Sequence, residues 1–160
     1  MLWPVSSWLQ SDDQVLEIGF WPGRTLIRVA ELVPGGFVVG VDPSEEMLRL
    51  ATSHNRNFIA QGKMELKLGN TTGIPYEDGR FDKVYSVHTI YFWHEPARDL
   101  QEIRRVMQIG GRLVLGFRAK DAKALADFPA TIYQFYTPEE AQMPLQDAGF
   151  GQGPKDFRIR

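Results

Sequence analysis

The residues with the clearest chemical potential are two glycines and an acid. Gly19 and Gly23 follow the apolar run Val15, Leu16 and Ile18, and Asp42 follows a second run, Phe37 to Val41. An apolar run of this kind reads as a strand covered on both faces, and the glycines allow a tight turn from its carboxyl end into a helix. Such a turn leaves a crevice where open α/β sheets take ligands. Asp42 stands about 23 residues beyond Gly19, close to the spacing at which dinucleotide folds place an acid on a ribose. A carboxylate there has a second role open to it, as cap of the following helix. Other groups with chemical potential are Asn70, His88 and the run Tyr91, Phe92 and Trp93, each with a plain structural rival as turn residue, buried hydrogen-bonded ring or core aromatic. His54 and His94 read as surface or loop residues.

The elements that position these groups alternate in type. A helix is expected over 25–33 from Leu26, Ile27, Ala30 and Val33, stopped by Pro34, Gly35 and Gly36. The second strand ends at Asp42, and Ser44 caps a helix running to about Gln61 with Gly62 behind it. Met64, Leu66 and Leu68 alternate with polar residues, the pattern of a half-exposed strand at a sheet edge. A polar loop over 69–80, a strand over 81–87 and an aromatic loop over 88–95 follow. Pro96 opens a helix carrying Leu100, Ile103 and Met107, with Gly110 and Gly111 as its stop and a fifth strand over 112–117. Helices over 119–127 and 138–148, the latter closed by Gly149, and a short strand at Phe157 and Ile159 complete the pattern. Residues 4–10 read as the end of a helix with Val5, Trp8 and Leu9 inward. The alternation specifies an α/β fold, a doubly wound and mostly parallel Rossmann-like sheet of order 3-2-1-4-5 plus the short terminal strand, in one domain over 1–160.

Composition narrows the partners. Eighteen basic against twenty acidic residues, a net charge of -2, gives no field for a nucleic-acid backbone. With no cysteine and three scattered histidines, no metal site is expected. The apolar start is short, interrupted by Pro4 and without basic residues, so neither a signal peptide nor a membrane span is read there, and a cytoplasmic location is the expectation.

Together these residues carry a family resemblance. Glu17-Ile18-Gly19-Phe20-Trp21-Pro22-Gly23, then Val39-Gly40-Val41-Asp42 with Ser44 and Met47-Leu48, resembles the first two motifs of class I S-adenosylmethionine-dependent methyltransferases. Gly69-Asn70 with Ile74-Pro75-Tyr76, Phe81-Asp82-Lys83-Val84, Leu100 to Gly111 and Ala148-Gly149-Phe150 resemble later motifs in the same order. The likeness is strongest to the small-molecule branch that includes ubiquinone and menaquinone biosynthesis enzymes.

The resemblance implies S-adenosylmethionine as cofactor and a small-molecule acceptor. It implies backbone room for the methionine part at Gly19, Phe20 and Gly23, and Glu17 beneath the amino group or organising the turn. Asp42 would take both ribose hydroxyls, and Pro43 and Met47 would line the nucleoside. Asn70 would meet the adenine amino group with its carbonyl, Thr71 would offer a backbone amide, and His88 with the aromatic run would face the methyl group. No catalytic nucleophile is implied, and a base only for a poorly ionised acceptor.

Trp21 departs from the pattern, since the family has glycine there. At positive φ a bulky residue is strained by about 1–2 kcal/mol, and its indole either fills the methionine site or covers it as a lid. The alternative function is therefore a non-catalytic binding or scaffold protein with an impaired cofactor loop. A nicotinamide oxidoreductase would need glycines where Trp21 and Arg24 stand. Family members also carry further helices before the first strand and a hairpin after the last helix. An exposed sheet edge and a homodimer through it are the corresponding expectation.

Overall fold

A computed structural model describes residues 8–151 and the backbone of 157–159. Strand β1, Gln14–Ile18, is followed by helix α1, Arg24–Leu32, strand β2, Phe37–Asp42, and helices α2, Glu45–His54, and α3, Arg56–Ala60. Then come β3, Met64–Leu68, β4, Phe81–Val87, a single 3-10 turn at Ile90–Phe92, α4, Pro96–Val106, and β5, Met107–Gly116. Helices α5, Ala122–Asp127, and α6, Pro138–Asp147, precede the short strand β6, Phe157–Ile159. All five neighbour pairs are parallel, and the sheet order is β3-β2-β1-β4-β5-β6. The order expected from the sequence is thus the order observed, with β3 at one edge.

Strand side chains alternate across the sheet, and each set meets its own helices. Leu16, Ile18, Val39, Val41 and Val84 pack with Leu100 and Ile103 of α4 and Leu145 of α6. Val15, Val38 and Tyr85 face the other way, onto Leu26 and Val29 of α1 and Ala51 of α2. With β1 central and covered on both faces, its carboxyl end opens at a single rim, bounded by the loops after β1, β2, β3 and β4.

Three boundaries differ from expectation. The long helix after Asp42 is divided at Asn55, which is 1% exposed and donates from Nδ2 to the carbonyls of Gly23 (2.9 Å) and Ala51 (2.8 Å). A buried amide that bonds backbone competes with helical continuation, and here it ties the helix to the turn before α1. Helix α4 ends at Val106, because Met107 is already extended and paired with Phe81. Gly110 and Gly111 are therefore not a helix stop; they belong to an irregular stretch of β5 in which pairing jumps from Phe81↔Met107 to Lys83↔Arg112. Helix α5 starts at Ala122, where the Asp121 carboxylate accepts the Ala124 N–H at 2.6 Å and forms the cap. Of the expected amino-terminal helix over 4–10, residues 4–7 lie outside the described residues; Trp8 and Leu9 pack half-buried beside α1 without forming one.

No helix among the described residues is long and apolar enough to cross a membrane.

Candidate functional site

The turn after β1 is built from left-handed backbone. Gly19 has φ 74, Trp21 φ 51 and Gly23 φ 74. Gly19 donates its N–H to the Val41 carbonyl at 2.8 Å, and Gly23 donates to Phe20 at 2.8 Å, so the chain doubles back against β2 before α1 begins. A side chain at Gly19 would collide with the Thr89 methyl group. Thr89 is itself fixed by a short hydroxyl contact with Ser86, whose Oγ donates to the Ile18 carbonyl at 2.8 Å. The ends of β1 and β4 are thereby locked together.

Asp42 faces this turn. Only 6% exposed, it accepts the Trp21 N–H on Oδ2 at 3.1 Å and the Ser44 N–H on Oδ1 at 2.9 Å. Ser44 in turn caps α2 by accepting the Met47 N–H at 3.3 Å. The cap role weighed for Asp42 thus belongs to Ser44. Each carboxylate oxygen has one backbone donor and retains a lone pair for another, and the backbone fixes its direction. The acid borders a slot of about 970 Å³ whose walls include Gly19, Trp21, Pro43, Met47, Asn70 and Thr71.

The slot's far wall comes from the loop after β3 and the start of α4. Asn70 holds its own loop: its carbonyl oxygen accepts the Thr72 N–H at 3.0 Å and the Thr72 hydroxyl at 2.6 Å. These bonds give Asn70 the turn-former role expected as its rival, while its side chain also borders the slot. Thr71 donates its hydroxyl to Asp99 of α4 at 2.5 Å. Glu102 accepts the Ile74 N–H at 2.8 Å, and Arg105 donates to the carbonyls of Ile74 and Tyr76 at 3.0 and 2.9 Å, which pins the same loop from α4.

A second cavity of about 570 Å³ lies across the Gly19 turn. Gly19, Trp21 and Phe92 border both spaces; the rest of the second includes Tyr91, Phe128, Tyr133 and Phe135 with Glu17, His88 and Arg118. Its aromatic rings contact one another, with Tyr91 and Phe135 centred 4.9 Å apart and Phe92 and Tyr133 5.1 Å apart. Trp21 is 49% exposed and forms part of the partition, so its indole does not fill the slot.

Glu17 is 4% exposed and accepts the Tyr85 hydroxyl proton at 2.6 Å. Burial pushes its carboxyl from the ordinary 4.5 up to about 8, against the lowering effect of that hydrogen bond, and the nearby Asp42 charge pushes the same way as burial. Glu17 is therefore mainly protonated at neutral pH. His88 has φ 59, and its Nδ1 lies 3.0 Å from the Tyr91 hydroxyl, which also meets the Arg118 backbone N–H. Burial lowers the imidazole pKa, so the ring is neutral at pH 7.

Of the ten residues expected at a cofactor site, Gly19, Asp42, Pro43, Met47, Asn70 and Thr71 come together around the slot. Glu17, Phe20 and His88 border the second cavity instead. Gly23 borders neither: a Cβ there would lie 2.6 Å from the Ala51 Cβ and 2.7 Å from Asn55 Nδ2, so its absence makes room for α2. Residues not singled out as contacts include Ser44, Thr89, Arg98 and Asp99; His94 also reaches the rim, and His54 bonds the Pro22 carbonyl at 2.7 Å. A first-turn acid such as Asp99 reads in sequence as a helix-dipole partner, which hid it.

A family model described as a methyltransferase domain matches residues 16–115. The chain belongs to that methyltransferase family. The matched span runs from β1 to the end of β5 and holds every residue of the slot. The putative methyltransferase YrhH of Bacillus subtilis is 33% identical over 107 residues, covering 67% of this chain and 58% of that protein. The demethylmenaquinone methyltransferase of Symbiobacterium thermophilum is 35% identical over 108 residues, covering 64% of this chain and 41% of that protein. A SAM-dependent methyltransferase from Aquifex aeolicus has the same fold, with a TM-score of 0.73 at 24% identity over 88% of this chain and 74% of that one. This methyltransferase domain spans 33 to 60% of the length of eight curated relatives that it matches.

Proposed function

We propose that this methyltransferase domain binds S-adenosylmethionine with its nucleoside in the slot and directs methyl transfer to a small-molecule acceptor in the aromatic cavity. The observation that carries the reading is the Asp42 carboxylate, held by two backbone N–H groups at the slot wall with one lone pair on each oxygen still available. Two parallel acceptors match a vicinal diol, whose hydroxyls each donate one proton. The slot also has the size of a small-molecule site, and Pro43 and Met47 give it an apolar wall for a planar base.

S-Adenosylmethionine supplies a methyl group already activated toward nucleophilic attack. The chain's contribution is alignment and exclusion of water. Gly19, Trp21 and Phe92 line both the slot and the second cavity, so the two spaces adjoin at the turn. Trp21 and Phe92 place aromatic faces on that boundary, a surface that favours a cationic centre. Seven of the fifteen residues around the second cavity are Phe, Tyr or Trp, which suits a flat acceptor with an apolar face. Neutral His88 with Nδ1 tied to Tyr91 stands at its wall as the one imidazole able to take a proton there. The likeness to a demethylmenaquinone methyltransferase supports an acceptor of this kind.

Calorimetric titration with S-adenosylmethionine and S-adenosylhomocysteine tests the reading. Both are expected to bind, and Asp42→Ala is expected to weaken them by about a hundredfold, since two hydrogen bonds to a charged group are lost. No binding by the unaltered chain would overturn it.

A further inference from the structure

Strand β3 is an edge of the sheet, and among the described residues no strand pairs with its outer side. Which backbone groups face that side follows from the inner ladder. The Lys63 carbonyl accepts the Val38 N–H at 3.1 Å, and Gly69 donates its N–H to the Asp42 carbonyl at 3.1 Å. The bonds of a parallel ladder fall on alternate residues, so Glu65 and Lys67 also turn their backbone groups toward β2, while Met64, Leu66 and Leu68 present theirs outward.

The side chains alternate in the same way. Met64, Leu66 and Leu68 share one face, buried, half-buried and exposed in that order. Glu65 and Lys67 share the other, paired with each other at 3.1 Å, and Glu65 also accepts the Tyr76 hydroxyl at 2.8 Å. A lysine on an edge strand ordinarily deters pairing, but here an acid two residues away balances it. The strand is its own complement when turned end to end. In an antiparallel pair centred on Leu66 of each copy, Leu66 faces Leu66, Met64 faces Leu68, and Glu65 faces Lys67 on both sides of the axis. Every residue with outward backbone groups then meets another such residue and exchanges both bonds with it. The neighbouring registers fail on charge: centring on Glu65 sets acid against acid, and centring on Lys67 sets base against base.

We propose that the chain forms a twofold homodimer by antiparallel pairing of β3 with β3 of a second copy, in the register centred on Leu66. The same patch serves both copies, so the assembly closes at two. The exposed Leu68 gains an apolar neighbour in Met64 of the second copy, and the opposite charges meet across the axis. Because the paired strands run in opposite directions, the two slots open at opposite ends of the joined sheet and neither obstructs the other.

Sedimentation equilibrium of the 160-residue chain from about 5 to about 500 µM tests the proposal. The unaltered chain is expected to dimerise within this range, and more weakly as salt is added. Lys67→Glu sets acid against acid on both sides of the axis, and Glu65→Lys sets base against base; each should raise the dimer Kd about tenfold or more. Combining the two exchanges restores both pairs and should bring Kd back to within about threefold of the unaltered chain. Leu66→Pro removes an outward N–H without touching the ladder to β2 and should leave a monomer with the circular dichroism of the unaltered chain. An unaltered chain that stays monomeric throughout overturns the proposal. So does a dimer indifferent to the single exchanges, or one that the double exchange fails to restore. Should Glu65→Lys not fold, because it gives up the Tyr76 hydroxyl, Lys67→Glu and Leu66→Pro decide the matter: a dimer that survives both is not built on β3.

Discussion

Replacing Glu17 by glutamine should flatten the pH dependence of stability. In the folded chain this carboxyl is sealed under the β1 turn with one donor, Tyr85, and titrates near 8 rather than 4.5. Between those values the native state holds a proton that the unfolded chain has released. Stability contributed by Glu17 is therefore complete below pH 4.5, falls as pH rises, and is gone above about 8. At about 1.4 kcal/mol per pH unit the total loss is about 5 kcal/mol, with most of it already incurred at pH 7. The Glu17→Gln side chain keeps the volume and an acceptor for the Tyr85 hydroxyl, and it carries no ionisable proton. Urea unfolding of both proteins from pH 5 to 9 reads the difference directly, since every other titrating group is shared. The variant should gain on the wild type by about 1.4 kcal/mol per unit up to about pH 8 and then run parallel. A difference that does not change with pH would refute the burial argument. The resemblance-based role of Glu17 has a linked consequence: an ammonium group set beside it would ionise it. Ligand binding at pH 7 would then release up to about one proton, measurable in buffers of different ionisation enthalpy.

Two other substitutions separate packing from the site. Gly23→Ala forces a methyl group against Ala51 and Asn55 at φ 74 and should cost about 2 kcal/mol or more, whereas Gly62→Ala, at φ 67 with nothing within 4 Å, should cost about 1. Equal costs in urea unfolding would show that the space between α1 and α2 is not filled as described. Trp21→Gly relieves left-handed backbone worth about 1 kcal/mol but does not open a blocked slot, so affinity for S-adenosylhomocysteine should change by less than about tenfold. Binding that appears only in the variant would favour the impaired-loop reading instead.

Much of the fold is legible because short apolar runs alternate with strong punctuation. Val15 to Ile18 and Phe37 to Val41 have no helical period, and Gly19, Pro34 and Gly35 mark their ends, so the pairing of β1 with β2 and the place of Asp42 beside the turn follow from local pattern alone. The boundaries that escaped are set by distant partners. Met107 continues the apolar stripe of α4 yet is claimed by Phe81 on β4, and Asn55 looks like an ordinary polar helix residue until its amide meets the Gly23 carbonyl. The site divides the same way. Asp42, Pro43 and Met47 follow β2 directly and could be read from their position. Asn70 carries the right chemistry for a base contact and reaches the slot, but its bonds to Thr72, which also make it a turn former, are a fact of side-chain geometry that spacing does not encode. Asp99 had no signal of its own, because an acid in the first turn of a helix is expected whether or not a cavity lies in front of it.

The central claim concerns where the sugar goes, and a crystal structure of the chain with S-adenosylhomocysteine tests it most directly. The two ribose hydroxyls should lie within hydrogen-bond distance of Asp42 Oδ1 and Oδ2 while the Trp21 and Ser44 N–H bonds persist. A nucleoside bound elsewhere, or one in the slot with its ribose turned away from Asp42, would contradict the account.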